Sequence, residues 1–126
     1  MTIQSVRSDG VFAPVGPYSQ AIRCGDLIFV SGQAGQDPAT GQLVSGGVEA
    51  QARQVLRNLE AVLAAAGKTF EDVLKVGVFL TDMQDFAKVN AIYATHFKEP
   101  FPARTTVQVA GLPLGADVEM DLIARA

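Results

Sequence analysis

The sequence predicts an α+β fold, one sheet of six strands with two helices on one of its faces. Three observations lead there. Short segments alternate apolar and polar residues with a period of two, the mark of strands with one buried face. Residues 48–66 carry an apolar stripe at helical spacing, and a shorter stripe runs from Phe86 to Phe97. The elements follow one another as three strands, a helix, a strand, a helix and two strands, and two helices can cover only one face of such a sheet.

Residues 2–6 form the first short strand. Arg7 to Gly16 is irregular, and Pro17 forces Gly16 out of the helical region, so Gly16-Pro17-Tyr18-Ser19-Gln20 is a stiff extended approach. Ala21-Ile22-Arg23-Cys24 and Leu27-Ile28-Phe29-Val30-Ser31 flank a tight Gly25-Asp26 turn. Gly32 to Gly47 is rich in Gly, Asp and Pro and reads as a loop with room for a small hairpin. In the first helix, Val48, Ala52, Val55, Leu56, Leu59, Val62, Leu63 and Ala66 share a face, and Gly67 ends it. Val73 to Thr81 is the next strand. Asp82 or Asp85 caps the second helix, expected to run to about Phe97 before Lys98-Glu99-Pro100-Phe101-Pro102 stops it.

The last two strands carry the chemistry. In residues 102–109, Arg104, Thr106 and Gln108 share one side and Thr105, Val107 and Val109 the other. In residues 118–123, Glu119 and Asp121 oppose Val118, Met120 and Leu122. The simplest pairing sets the guanidinium and the carboxylates on one polar face. The strands at 27–30 and 76–80 are apolar on both sides, and no segment remains to cover the second face. An oligomer packed sheet to sheet is therefore expected.

The chain has 126 residues, 48% hydrophobic and 18% charged, which suits one globular domain, 1–126. Its net charge of -3 shows no basic stripe of the kind nucleic-acid binding needs, so no nucleic-acid partner is expected. No apolar run approaches the ~20 residues that span a bilayer, and residues 1–6 lack a secretory signal pattern. Neither membrane partner nor export is expected. The single cysteine, Cys24, fits a reducing, cytoplasmic setting.

Several other features point to no site. Cys24 and His96 sit on different elements, and nothing brings them together as a nucleophile and base. No metal is expected, because no ligands occur at paired spacing. Gly32-Gln33-Ala34-Gly35 resembles a nucleic-acid clamp only superficially, since its middle residues are neutral. No glycine-rich phosphate loop is present. Arg104 and Glu119 remain: a planar fork for a carboxylate ligand, and a carboxyl group able to hold water and move a proton.

Six blocks, in order over residues 10–125, resemble the YjgF/RidA family of reactive imine deaminases. They are Pro14-Val15-Gly16-Pro17-Tyr18-Ser19-Gln20-Ala21; Phe29-Val30-Ser31-Gly32-Gln33; Gln51-Ala52-Arg53-Gln54 with Asn58-Leu59; Asp85-Phe86 with Val89-Asn90 and Tyr93; Phe101-Pro102-Ala103-Arg104; and Val118-Glu119-Met120. The resemblance implies a chorismate-mutase-like α+β fold with a mixed sheet. It implies a homotrimer with a site in each cleft between subunits. It also implies hydrolysis of 2-imino acids, such as 2-iminopropanoate and 2-iminobutanoate, to 2-oxo acids and ammonia, without a cofactor. Under it Arg104 grips the substrate carboxylate and Glu119 orients the attacking water. Tyr18 and Asn90 line the cleft, Phe86 forms an apolar wall, Ser31 and Gly32 lie near the ligand, and Thr106 offers mainly backbone. Many relatives have cysteine at the position of Thr106, so a mechanism needing a thiol there is ruled out. The connection from Phe97 to Phe101 is short for the family, which bears on the range of substrates. Alternatives of the same fold are a non-catalytic small-acid-binding or regulatory module, and an endoribonuclease or translation inhibitor. Neither the preferred imino acid nor the enzyme that supplies it follows from the residues.

Overall fold

The computed structural model describes all 126 residues. Six strands, β1 (Ile3–Val6), β2 (Ala21–Cys24), β3 (Leu27–Ala34), β4 (Val73–Leu80), β5 (Ala103–Gln108) and β6 (Val118–Arg125), form a single sheet. Their order is β1-β2-β3-β6-β4-β5, and only β4 and β5 run parallel. The helices α1 (Gly47–Ala65) and α2 (Phe86–Tyr93) lie together on one face. The expected fold class is therefore present: α+β, a mixed six-stranded sheet, both helices on one side.

The apolar stripe of α1 accounts for its position. Ala52, Val55, Leu56, Leu59, Val62 and Leu63 are all buried, and they meet Ile28 and Val30 of β3, Val76, Val78 and Leu80 of β4, and Val118, Met120 and Leu122 of β6. Burying each such side chain contributes roughly 1.5–3 kcal/mol. At its end, Lys68 N–H donates to the Leu63 carbonyl and Gly67 N–H to that of Ala64, with Gly67 at φ 75. This is the paired-bond stop expected where glycine occupies the left-handed position.

A polar edge of α1 holds the sheet as well. Asn58 Nδ2 donates to the carbonyls of Ala34 and Gln36, and its Oδ1 accepts from Gln54 Nε2. Gln51 accepts from the Asp117 backbone and donates to its carboxylate. The helix thus grips β3 two residues beyond Gly32 and β6 two residues before Glu119. Asn58→Ala strips three hydrogen bonds, two of them buried, and is expected to lower stability by about 2 kcal/mol, read as a fall in the urea midpoint.

Two expectations need correction. The second helix ends at Tyr93, four residues early. Thr95 Oγ1 donates to the Ile92 carbonyl at 2.7 Å, and His96 Nδ1 approaches the same oxygen at 3.1 Å. Side chains that take a helix carbonyl compete with the next turn, and the backbone tightens to i→i+3 bonds at Thr95 and His96. Asp82 accepts from Gln84 N–H and caps the single turn Met83–Asp85 that leads into α2, whereas Asp85 makes no side-chain cap.

The second correction concerns the last two strands. They share a sheet, but β4 lies between them. Arg104 stands opposite Val76, and Val76 opposite Leu122, so all three project to the helix side. Glu119 stands opposite Phe79, one parity out, and projects to the open side. Arg104 and Glu119 therefore lie on opposite faces of one chain's sheet. They are offset by three residues along β4, about 10 Å, and by two strand spacings, about 10 Å. The polar parity of β5 is the one turned toward the helices, and Thr105 and Val107 face outward. On the open face Leu27, Phe29 and Val107 are exposed, and Ile123 and Phe79 are half-buried.

Candidate active site

The site residues sort into two groups. The first lies at the β5 edge on the helix side. Phe86, Asn90 and Tyr93 recur at i, i+4 and i+7 and so form one stripe of α2. Arg104 comes up from β5 against that stripe. Its guanidinium carbon is 4.7 Å from the ring centre of Tyr93 and 5.6 Å from that of Phe86. Each contact of this kind is worth about 0.5–2 kcal/mol, and together they hold the guanidinium against the α2 stripe. Thr106, opposite Val78, is the next residue on the same side of β5.

No carboxylate of the chain pairs with Arg104; the three ion pairs are Arg7–Asp9, Lys98–Glu71 and Arg125–Asp72. The guanidinium is half-buried, aromatic-framed and unneutralised, and an anion placed against it gains a strong charge-assisted contact. Tyr93 is buried, with a hydroxyl that has no hydrogen-bond partner. Burial raises its phenol pKa above the ordinary value, against the opposing pull of the Arg104 charge. The ring stays neutral and serves as a platform. Sequence reasoning placed Tyr93 only in the core stripe. The signal that identifies it is the i+7 repeat of aromatic residues on a helix facing an arginine-bearing strand.

The second group lies on the open side, where β3 meets β6. The register of these strands slips between Val30 and Gln33, leaving Ser31 and Gly32 outside the ladder as a bulge. Ser31 Oγ donates to the Ser19 carbonyl at 2.6 Å, and Ser31 N–H donates to that of Gln20 at 2.9 Å. The hydroxyl of Ser31 is thus committed to holding the Tyr18-Ser19-Gln20 segment beside the bulge. Tyr18 itself is exposed, at 55%. Glu119 rests on Gly32: a Cβ at that position would come within 2.9 Å of the carboxylate carbon and Oε2. Gly32→Ala is expected to displace the carboxylate, cutting turnover about tenfold or more while the fold survives, which a thermal melt beside an activity assay separates.

Glu119 is half-buried. Burial raises its carboxyl pKa above 4.5, and the neighbouring Asp121 charge adds to the rise. Such a carboxyl gives and takes protons closer to neutral pH than an exposed one. Within one chain, then, the structure sets Arg104 and Thr106 on the same side of β5 as the α2 stripe of Phe86 and Asn90, and separately sets Glu119 on Gly32, with Ser31 tethering the segment that carries Tyr18. It does not bring the two groups together. Cys24, half-buried on β2, and His96, beside Phe70 after α2, belong to neither group.

The fold and these two groups define a small α+β protein with an unpaired arginine at a sheet edge and a half-buried glutamate of raised pKa on the opposite face. A family model described as Endoribonuclease L-PSP matches residues 10–126. The chain is 52% identical over 112 residues to a mouse protein named 2-iminobutanoate/2-iminopropanoate deaminase, covering 89% of this chain and 83% of that one. It superposes on RidA from an Antarctic Psychrobacter with a TM-score of 0.93 at 45% identity, covering 98% of this chain and 99% of the other. It superposes on TdcF of E. coli with bound serine with a TM-score of 0.91 at 36% identity, covering 98% of each. The chain belongs to the YjgF/RidA family.

Proposed function

We propose that the protein hydrolyses small 2-imino acids to 2-oxo acids and ammonia, in sites completed between the subunits of a homotrimer. The observation that carries this reading is the unneutralised Arg104 guanidinium, set against the rings of Phe86 and Tyr93. It suits a planar carboxylate, and the serine held by TdcF is a ligand with one. The composite site is supported by the separation of the two groups. An open face with exposed Leu27 and Phe29 invites a second copy, and docking that face near another chain's β5 edge unites Glu119 with Arg104.

In such a site Arg104 binds the carboxylate, with Phe86 against the short side chain and Asn90 and Tyr18 at the cleft walls. Glu119 takes a proton from a water as its oxygen bonds to C2. The C=N π pair moves to nitrogen and gives a tetrahedral amino alcohol. Glu119 returns its proton to that nitrogen, and the C–N bond breaks as ammonia leaves while the hydroxyl gives its own proton to the Glu119 carboxylate and becomes the 2-oxo group. The imine carbon is already electrophilic, so placing water and substrate together provides much of the acceleration. Stabilising charge in the tetrahedral species adds to it. No step uses the Thr106 side chain, and none calls for a cofactor.

The test adds purified protein to a threonine dehydratase reaction and times 2-oxobutanoate and ammonia release. Release that accelerates with protein concentration supports the reading; an unchanged rate at every concentration refutes it. Tight 2-oxo-acid binding with no turnover indicates a non-catalytic binding module instead.

A further inference from the structure

We propose that the groove between α1 and α2, on the outer surface of the helical layer, binds a small ligand carrying two or more linked phosphate groups. The groove measures about 440 Å³ and is lined by Arg53 and Arg57 of α1, by Lys88 of α2 and by His96, with Glu49 as its lone acid and Ile92 on its floor. Arg53 and Arg57 are one helical turn apart and so present their forks side by side. None of the three cations takes part in an ion pair, and Glu49 does not reach Arg53 within 4.0 Å. His96 Nδ1 lies 2.9 Å from Thr95 Oγ1 and 3.1 Å from the Ile92 carbonyl, which leaves Nε2 as the ring nitrogen without a partner. These residues lie on a different stripe of α2 from Phe86, Asn90 and Tyr93, so the groove is separate from the Arg104 site.

Charge distribution selects the ligand. Of ten basic and thirteen acidic side chains the groove takes three and one, so the rest of the chain carries -5. A long polyanion is repelled as soon as it leaves the groove, whereas a diphosphate or triphosphate fits within the positive field. Guanidinium forks match phosphate oxygens two at a time. The cluster escapes a linear reading because its members come from residues 53 to 96 and converge only when the two helices pack.

The experiment is calorimetric titration of the full-length protein with pyrophosphate and, separately, with ADP, at physiological salt. Saturable binding of one ligand per chain is expected, weakened about tenfold or more in Arg53→Gln/Arg57→Gln and unchanged in Arg104→Ala and Arg125→Gln. ADP binding more tightly than pyrophosphate identifies a nucleotide with its non-phosphate part over Ile92; equal affinities identify an inorganic ligand. The proposal is overturned by absence of saturable binding, by equal binding of a hexaglutamate peptide, or by binding that survives in Arg53→Gln/Arg57→Gln. Loss in Arg104→Ala also overturns it, by placing the anion in the other site. Far-UV circular dichroism verifies that the exposed substitutions leave the fold intact.

Discussion

Arg104→Ala is expected to lose most of the proposed acceleration of imine hydrolysis at subsaturating substrate while leaving the protein folded. The substitution removes the guanidinium set against Phe86 and Tyr93, and with it the proposed partner of the substrate carboxylate. Losing one partner of a desolvated charge pair costs about 2–5 kcal/mol, so kcat/KM falls by about 30-fold to 5,000-fold. Most of the loss shows in KM, because the carboxylate is gripped in the bound substrate as well as in the transition state. Arg104→Lys retains charge but not the fork, nor the guanidinium contact with the Tyr93 ring at 4.7 Å, and is expected to remain well below the parent. The matching measurement is initial-rate kinetics across imino acid concentration, beside a melting curve that stays within a few degrees of the parent.

Glu119→Gln produces the complementary defect. The amide still fills the space over Gly32 but can no longer accept a proton from water. General-base loss lowers kcat by about 10² to 10⁴ with little change in KM. The sign of the pH dependence follows from the raised carboxyl pKa. The working carboxylate exists above that pKa, so kcat/KM declines as pH falls through it, with a midpoint above 4.5. Burial is the larger cause and the Asp121 charge the smaller, so Asp121→Asn moves the midpoint down without removing it. In Glu119→Gln this acidic limb disappears. An acidic limb unchanged in Glu119→Gln assigns the proton transfer to another group.

The elements were legible wherever local pattern decides them. The α1 stripe, the Gly67 stop and the alternation of β4, β5 and β6 all stand in the structure as the residues suggest. The relation between Arg104 and Glu119 was not. Period-two alternation says that neighbours face opposite ways, but it does not say which parity meets the helices. That depends on β4 inserting between β5 and β6, a pairing between residues far apart in sequence. Once Val76 stands opposite both Arg104 and Leu122, the polar parity of β5 must turn toward α2. The aromatic stripe of α2 is what makes that burial tolerable.

The bulge at Ser31–Gly32 was equally hidden. Ser31 and Gly32 were identified through family resemblance, yet their part in the chain, tethering the Tyr18 segment and leaving room for Glu119, arises from a register slip that no local pattern records. The early end of α2 has the opposite origin. It is local, set by Thr95 and His96 claiming the Ile92 carbonyl, but the apolar stripe continues through Phe97 and conceals it. Phe97 is still buried, stacking on Tyr93 from the turn that follows the helix.

The measurement that bears most directly on the composite site is subunit complementation. Arg104→Ala and Glu119→Ala chains, each expected to be nearly inactive alone at subsaturating imino acid, are unfolded together, refolded as an equal mixture and assayed at that concentration. In a closed ring of three, every mixed trimer contains one cleft with an intact Arg104 from one chain and an intact Glu119 from its neighbour. Activity then returns to about a quarter of the parent level. If both residues act from the same chain, no mixture restores a complete site, and a refolded mixture as inactive as its components contradicts the account.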